Sequence, residues 1–468
     1  MRVDRLLGNR ATRRQAIARA GAAGAVAAMG GFGRSAGSAR AADGETGSTI
    51  AVPADLRTDL AGQSITVTLA HEGGLADWER AAVAKFAAAT GIKVTRKSGP
   101  RLSVDRLAAY LDVLNAGGSG IDAMMVDAVT VGALAPHALD LGDAMRRNGS
   151  VYNPVLVANN TASVDGTALL AAIPWYADAG QLFYRTDLLQ KYGYPNPPAT
   201  WDELQTMAST IQRGERAAGN KGFWGYVWQG NGYEGLTCNA LEWQVSNGGG
   251  AIIEPDRSVT VNNPAAAAAF QRASQWVGTI SPDGVVAFQE EEGRGIWQHG
   301  DAAFIRTWSY NYWTSQADGS PIRGLFAQTT LPKGDGDGAR NASCIGGWQM
   351  LASRYSKHPE AAVEFCRYLT AEALQRSLAI EQSPPPTIAA LYDDPAVIAA
   401  NPHFPQLKAV MADAVMRPST IAAGVYPDVS TAYFTAVHQL LTNDRLSFQA
   451  LSGLASQLSI LLAQNGSR

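Results

Sequence analysis

Hydrophobic and polar positions near residue 64 predict a strand, a helix and a second strand. Apolar residues alternate with polar ones over 65–69, as on a strand with one buried face. They then recur at helical spacing over 78–86, and Gly91 is expected to end that helix. The alternation resumes over 92–94. This order is typical of a βαβ unit in a parallel sheet.

The next segments extend the same alternation of helices and strands. Residues 103–114 carry one apolar face and predict a helix, and 121–126 predict a buried parallel strand that ends at Asp127. Residues 171–184 predict an extended strand broken at Pro174. Sheets of this kind bind ligands beyond the carboxyl ends of their strands.

Helices dominate the rest of the chain. Thr200 and Glu203 form a capping box, which predicts a helix start, and a second helix is expected over 264–277. An apolar strand is predicted over 347–352, and a helix over 358–369.

The first residues predict an export signal rather than part of a fold. A basic stretch over 10–19 precedes an apolar run over 20–32 that is rich in small residues, and Ala-Arg-Ala follows at 39–41. We therefore expect a signal peptide over 1–41, followed by a flexible spacer over 42–62.

Two adjacent arginines indicate the export route. Arg13 and Arg14 resemble the twin-arginine signal with which bacteria export folded proteins. The alternatives are a basic disordered tail and a retained anchor, although the apolar run is shorter than the ~20 residues that span a bilayer.

Composition narrows the class of protein. Hydrophobic residues make up 46% of the 468 residues, charged residues 17%, and the formal net charge is −3, so nothing calls for a nucleic-acid partner. Roughly 400 residues remain after the signal and spacer, too many for one core, so at least two lobes are expected.

Little in the sequence points to catalysis or metal binding. The three cysteines allow at most one disulfide and lack metal-ligand spacing, and the six histidines are scattered singly, so we expect no metal and no cofactor. The chain contains 11 Trp and 15 Tyr. Many aromatic rings with few catalytic groups are typical of a ligand-binding protein.

Several motifs occur in an order that resembles the family 1 extracellular solute-binding proteins of ABC importers, and most closely their trehalose/maltose-binding branch. The resemblance extends over about 64–464. The motifs for the family are residues 172–180, 182–185, 187–189 and 198–204, and those for the branch are residues 228–230, 233–237, 241–243, 346–349, 417–418 and 426–427.

This resemblance implies an α/β fold of two discontinuous lobes with a ligand cleft at the hinge. We expect lobe 1 over 63–174 and 326–384, and lobe 2 over 175–325 and 385–468. It also implies a monomeric, extracytoplasmic protein without enzymatic activity, which captures a disaccharide of the trehalose, maltose or sucrose kind. The implied partners are membrane permease subunits with a cytoplasmic ATPase.

The resemblance also implies a set of binding residues, which suits the chemistry of a sugar. Carboxylates and guanidinium groups bind hydroxyls, and aromatic rings cover the apolar C–H faces. The expected substrate-binding residues are Glu72, Asp127, Asn160, Tyr176, Asp178, Glu234, Trp308, Gly347, Trp348 and Arg417. Glu72 is expected only from its place just after the first strand, and Asn160 because its amide could donate and accept at the ligand.

Six of these residues also have a structural interpretation, and for Asn160 it is an ordinary loop asparagine. Asp127 is alternatively a strand-end capping acid, and Asp178 a carboxylate that braces the hinge. Trp348 is alternatively a core residue, Arg417 part of an interlobe salt bridge, and Glu234 an acid at a helix N-terminus.

Two other functions remain open from the sequence. A glycoside hydrolase would also need acidic residues around a sugar, at separations that the sequence does not reveal. A binding protein for a polyol or a glycerol phosphoester is the third possibility, with Arg417 as the candidate phosphate ligand.

Overall fold

The structure is a computed structural model. It describes residues 49–71, 73–100, 103–442 and 448–465. The expected signal peptide, the beginning of the spacer and Glu72 therefore lie outside the described residues.

Strands in the described ranges form two main sheets and one hairpin. The first sheet has the order β12-β11-β3-β1-β2, with β6 also paired to β11; the second has the order β10-β7-β9-β8; β4 and β5 form the hairpin. The strands are β1 (Ser64–Leu69), β2 (Lys93–Ser98), β3 (Ala123–Asp127), β4 (Thr161–Val164), β5 (Thr167–Leu170), β6 (Ile173–Ala179), β7 (Gln181–Arg185), β8 (Trp224–Val227), β9 (Ala302–Thr307), β10 (Phe326–Thr329), β11 (Ser343–Ala352) and β12 (Ala414–Val415).

Helices connect these strands and continue beyond the last one. None in the described part of the chain is long and apolar enough to cross a membrane. The α-helices are α1 (Gly74–Thr90), α2 (Ser103–Leu114), α3 (Val131–Leu134), α4 (Gly142–Arg147), α5 (Pro154–Asn160), α6 (Thr186–Lys191), α7 (Trp201–Ala217), α8 (Glu234–Ser246), α9 (Pro264–Trp276), α10 (Glu290–Gln298), α11 (Asn311–Ser315), α12 (Pro359–Thr370), α13 (Glu372–Gln382), α14 (Pro395–Ala400), α15 (Phe404–Ala412), α16 (Ser419–Ala422), α17 (Tyr426–Thr442) and α18 (Phe448–Asn465).

The βαβ unit expected at the start of the fold is confirmed. Strands β1 and β2 are parallel, and β3 pairs in parallel with the other edge of β1. Helix α1 ends at Gly91, whose φ of 72° is left-handed, a conformation that glycine adopts without a steric penalty. The capping box at Thr200 and Glu203 is also present and begins α7.

The expected strand break at Pro174 is wrong. Pro174 lies inside β6, and the break falls at Gly180, between β6 of the first sheet and β7 of the second. A Cβ atom at position 180 would overlap the side chains of Glu242 and Arg306, so a glycine is needed where the chain passes between the sheets.

Aromatic residues build much of the core. In the core of the second sheet, Trp243 packs edge-on against Trp228 and Trp276, with ring centroids 5.0 and 5.8 Å apart. Part of the tryptophan content therefore serves packing rather than binding. The fully buried tryptophans are Trp175, Trp201, Trp228, Trp243, Trp276 and Trp297.

The cysteines also belong to the cores. Cys238, Cys344 and Cys366 are buried, and each is a free thiol.

Candidate functional site

Three of the expected site residues form one row across neighbouring strands of the first sheet. Trp348 on β11 stands directly opposite Asp127 on β3 and, on its other side, opposite Tyr176 on β6. Directly paired residues of antiparallel strands share one face, so these three side chains are neighbours. Asp178 follows two positions after Tyr176, opposite Gly346, and lies on the same face.

Asp127 is half-buried at the end of β3 and also has a capping role. Its Oδ1 accepts a hydrogen bond of 3.1 Å from the backbone N–H of Val129, so the strand-end capping interpretation is also correct. Burial raises the pKa of the Asp127 carboxyl, although the nearby Arg417 guanidinium acts in the opposite direction. The carboxylate is therefore held in a partly desolvated position at the end of its strand.

Asp178 connects the first sheet to the segment that follows β9. Its Oδ1 accepts hydrogen bonds from the backbone N–H of Ala179 (2.8 Å) and of Ser309 (3.0 Å), and from the Ser309 hydroxyl (2.5 Å). Burial raises the pKa of the Asp178 carboxyl, and these donors act against that rise. Oδ1 therefore braces these segments, as the structural interpretation of Asp178 predicts. Within the described residues, Oδ2 accepts no direct hydrogen bond.

Tyr176 lies on the same face of the first sheet as these carboxylates. Burial raises the pKa of its hydroxyl well above the usual range, and the nearby negative charges of Asp127 and Asp178 add to the rise. The phenol therefore stays protonated at neutral pH and is able to donate a hydrogen bond.

Arg417 and Glu234 form an ion pair beside this row. Arg417 Nη1 donates to Glu234 Oε1 over 2.8 Å, and Tyr426 and Ser430 donate to the same carboxylate, each over 2.5 Å. Glu234 is the first residue of α8, as its structural interpretation predicts. Arg417 is buried, and its Nε has no acceptor among the described residues.

Two half-buried tryptophans complete the candidate site, and an arginine guanidinium lies over the ring of each. The Arg306 guanidinium lies 4.0 Å from the ring centroid of Trp308, and that of Arg106 lies 5.1 Å from the ring centroid of Trp348. Trp308 directly precedes Ser309, so the hydrogen bonds from Ser309 to Asp178 hold its backbone next to the first sheet.

Gly347 has a backbone role in this arrangement. Its φ is 113°, and a Cβ atom at this position would overlap the backbone of β6 at Tyr176. The glycine therefore allows β11 and β6 to pair closely next to Trp348.

Asn160 is not brought into the cluster of polar side chains. It is fully buried, donates to Gln349 Oε1 over 2.9 Å and accepts from Asn159 Nδ2 over 3.1 Å. Both polar atoms of its amide are therefore engaged in the core in this conformation.

Three residues that support the site were not among the expected binding residues. Ser309, Tyr426 and Arg306 each contact an expected site residue. The sequence did contain a signal for Arg306, because it is the only charged residue in strand β9. A buried charge of this kind is paired, so an acidic partner was to be expected. Among the described residues no group of His, Cys, Asp or Glu is arranged to hold a metal ion.

The fold and the site together define a class of protein. The two-lobe α/β fold is that of a periplasmic-type binding protein, and carboxylates, guanidinium groups and indole rings are clustered on it. Residues 72–376 match the family described as bacterial extracellular solute-binding protein. The chain belongs to this family. Solute-binding proteins of ABC importers work with permease and ATPase subunits.

Individual relatives agree with this assignment. The chain is 44% identical over 375 residues to a probable ABC transporter-binding protein of Deinococcus radiodurans. The aligned region covers 80% of this chain and 88% of that protein. It is similar to maltose-bound MalE3 of T. maritima, with a TM-score of 0.74 and 34% identity over 86% of this chain and 100% of that one.

A more distant structure shows the same fold. A solute-binding protein of Thermotoga lettingae bound with α-D-tagatose has a TM-score of 0.71 and 20% identity, and covers 86% of this chain and 100% of that one. The two-lobe fold expected from the sequence is thus confirmed.

Proposed function

We propose that this protein captures a disaccharide of the maltose type for an ABC importer and releases it unchanged. The observation that carries the proposal is the row of Asp127, Trp348 and Tyr176 on one face of the first sheet. The similarity to a maltose-bound protein at 34% identity supports the choice of sugar.

The geometry suits a ligand with many hydroxyls. The Oδ2 atom of Asp178 and the carboxylate of Asp127 offer acceptors, while Arg417 and Tyr176 offer donors. The indole rings of Trp308 and Trp348 supply the apolar surfaces that sugar C–H groups require. We expect the sugar to lie between these rings, with its hydroxyls toward the charged groups.

Calorimetry with a sugar panel tests the proposal. We expect maltose, trehalose or sucrose to bind with micromolar or tighter affinity, which corresponds to about −8 kcal/mol. Monosaccharides, polyols and glycerol phosphoesters are the comparison ligands. Tight binding of a polyol or phosphoester, with no heat from any disaccharide, would contradict the maltose-type assignment.

Product analysis separates capture from hydrolysis. Prolonged incubation with the tightest-binding disaccharide should return the sugar intact. A hydrolase would release monosaccharide in excess of the protein, and Asp178→Ala would abolish that release, because an acid or nucleophile acts mainly on the transition state.

We also propose export through the twin-arginine route with cleavage near Ala41. The double substitution of Arg13 and Arg14 by lysine should leave the precursor inside the cell, as seen by fractionation and immunoblotting. Normal secretion of this variant would instead indicate the general secretory route.

A further inference from the structure

We infer that Arg306 is a positioning residue that fixes the orientation of the Trp308 ring through a buried ion pair with Glu242. The inference rests on the proposed sugar-binding role of Trp308. It assigns a role to Arg306 and Glu242, which do not contact the expected ligand and act on binding through Trp308.

The first step concerns the stack itself. Arg306 is fully buried, whereas Trp308 is half-buried, and the guanidinium carbon lies 4.0 Å from the ring centroid. The arginine therefore covers the protein-facing side of the indole. A cation over a tryptophan face is attractive, most of all when both groups are desolvated. The opposite face of Trp308 is left for a ligand.

The second step concerns what holds the arginine. Arg306 Nε and Nη2 donate to the two carboxylate oxygens of Glu242 over 2.8 and 2.5 Å. Its Nη1 donates to Gln229 Oε1 over 3.1 Å, and Gln229 Nε2 in turn donates to the Arg306 carbonyl over 3.0 Å. This two-pronged pairing fixes the plane of the guanidinium, which a lysine ammonium would not do.

The third step links the pair to the first sheet. Glu242 Oε1 also accepts from the backbone N–H of Cys344 on β11 over 3.0 Å. Trp348 follows on the same strand, while Trp308 follows Arg306 at the end of β9. The Glu242 carboxylate is therefore bonded to the two strands that lead to the two rings. Its geometry sets the position of one ring relative to the other.

The energetics favour a role in orientation over one in stability. Taking two charges out of water costs about as much as their attraction returns, and apolar replacements of such pairs are often equally stable. A well-packed apolar pair would fill the space between α8 and β9. It would not provide the flat, fixed surface on which the Trp308 ring lies.

The first test measures the mobility and the solvent exposure of the Trp308 ring in protein without sugar. In protein labelled with 5-fluorotryptophan, the Trp308 resonance is assigned from its loss in Trp308→Phe. We expect Arg306→Lys to broaden or split this resonance and to increase its H2O/D2O isotope shift, because the ring becomes mobile and wetter. A single sharp resonance with an unchanged isotope shift would overturn the inference.

Arg367→Lys is the matched control. Arg367 pairs with Glu364 over 2.6 Å at a similarly buried position, but it stacks on no tryptophan among the described residues. We expect this variant to lower the unfolding midpoint without affecting the Trp308 resonance. An equal change of that resonance in Arg367→Lys would mean general loosening of the fold, and would also overturn the inference.

The second test is a double-mutant cycle with maltose as the probe. Arg306→Lys should weaken maltose binding by about tenfold in the wild-type background, and by less than twofold in the Trp308→Ala background. Equal losses in both backgrounds would show that Arg306 does not act through Trp308. If wild-type protein binds no maltose, the proposed ligand is wrong, and the fluorine measurement still decides the role of Arg306.

A second variant covers the case in which Arg306→Lys does not fold. The pair replacement Arg306→Met with Glu242→Leu removes both charges and leaves no unpaired ion in the core. We expect a folded protein with the same broadened Trp308 resonance. A folded pair variant with an unchanged resonance would refute the positioning role.

Discussion

Asp127, a proposed sugar ligand, is a single side chain whose burial opposes stability at neutral pH. Burial raises the pKa of its carboxyl in the folded protein above the value of about 3.9 for an exposed aspartate. A raised folded-state pKa contributes stability that is present at acidic pH, below the unfolded-state pKa. This contribution is lost as the pH rises through the folded-state pKa.

We therefore predict that Asp127→Asn raises the unfolding midpoint at pH 7, while sugar affinity falls. Asparagine still accepts the hydrogen bond from the Val129 N–H, so the cap is kept. Thermal unfolding at pH 7 and at about pH 3 checks this, since the gain should disappear where aspartate is protonated in both states. A lower midpoint at pH 7 would contradict the prediction.

Asp178 leads to a second prediction at the same scale. Asp178→Ala removes a charge-assisted acceptor worth roughly 1.5 to 3 kcal/mol, so sugar affinity should fall about tenfold or more. The same change leaves the Ser309 hydroxyl and N–H without their acceptor, so the unfolding midpoint should also fall. Calorimetry and thermal unfolding measure the two effects.

Asp143→Ala serves as the control for Asp178→Ala. The Asp143 side chain is 91% exposed and makes only a surface ion pair with Arg146. Neither affinity nor the unfolding midpoint should change measurably. An Asp178→Ala variant that binds as tightly as this control would remove Asp178 from the site.

The passage between the two sheets gives the prediction at the scale of elements. Gly180→Ala should destabilise the fold by about 1 to 3 kcal/mol, because the added methyl group overlaps the buried side chains of Glu242 and Arg306. Gly295→Ala is the matched control, since open space surrounds this position within α10, and alanine should stabilise that helix by about 0.5 to 1 kcal/mol. Denaturant unfolding should show opposite signs for the two variants.

The elements also show what the sequence reveals and what it conceals. Local signals sufficed for α7, because the capping box at Thr200 and Glu203 lies within four consecutive residues. They failed at Gly180, because the need for glycine there arises from Glu242 and Arg306, which are distant in sequence.

The same distinction applies to the site. The motifs located Tyr176 and Trp348, and the end of a predicted strand located Asp127; the sheet brings all three into one row. Asn160 was expected at the ligand because its amide could both donate and accept a hydrogen bond there. Its burial depends on a partner on β11, Gln349, which no local pattern discloses.

Lobe closure is the prediction for the whole molecule. The expected boundary between the lobes falls after residue 174. In the structure the chain passes from the first sheet to the second at Gly180, five residues after the start of the expected lobe 2. Binding between two hinged lobes should bring them together, so small-angle scattering should give a smaller radius of gyration with saturating disaccharide. A sugar that gives no calorimetric heat is the control and should leave the radius unchanged. An equal radius with and without the bound disaccharide would contradict closure.

The pairing of β11 with both β3 and β6 limits which sequence changes can alter the ligand preference of this protein without losing the site. The row of Asp127, Trp348 and Tyr176 exists only in one register, and a slip of one residue would turn Trp348 to the opposite face of the sheet. A one-residue insertion or deletion in β11 before Trp348 should therefore remove this tryptophan from the row. Point substitutions in the row, or length changes in loops outside β11, would alter the site and leave this register intact.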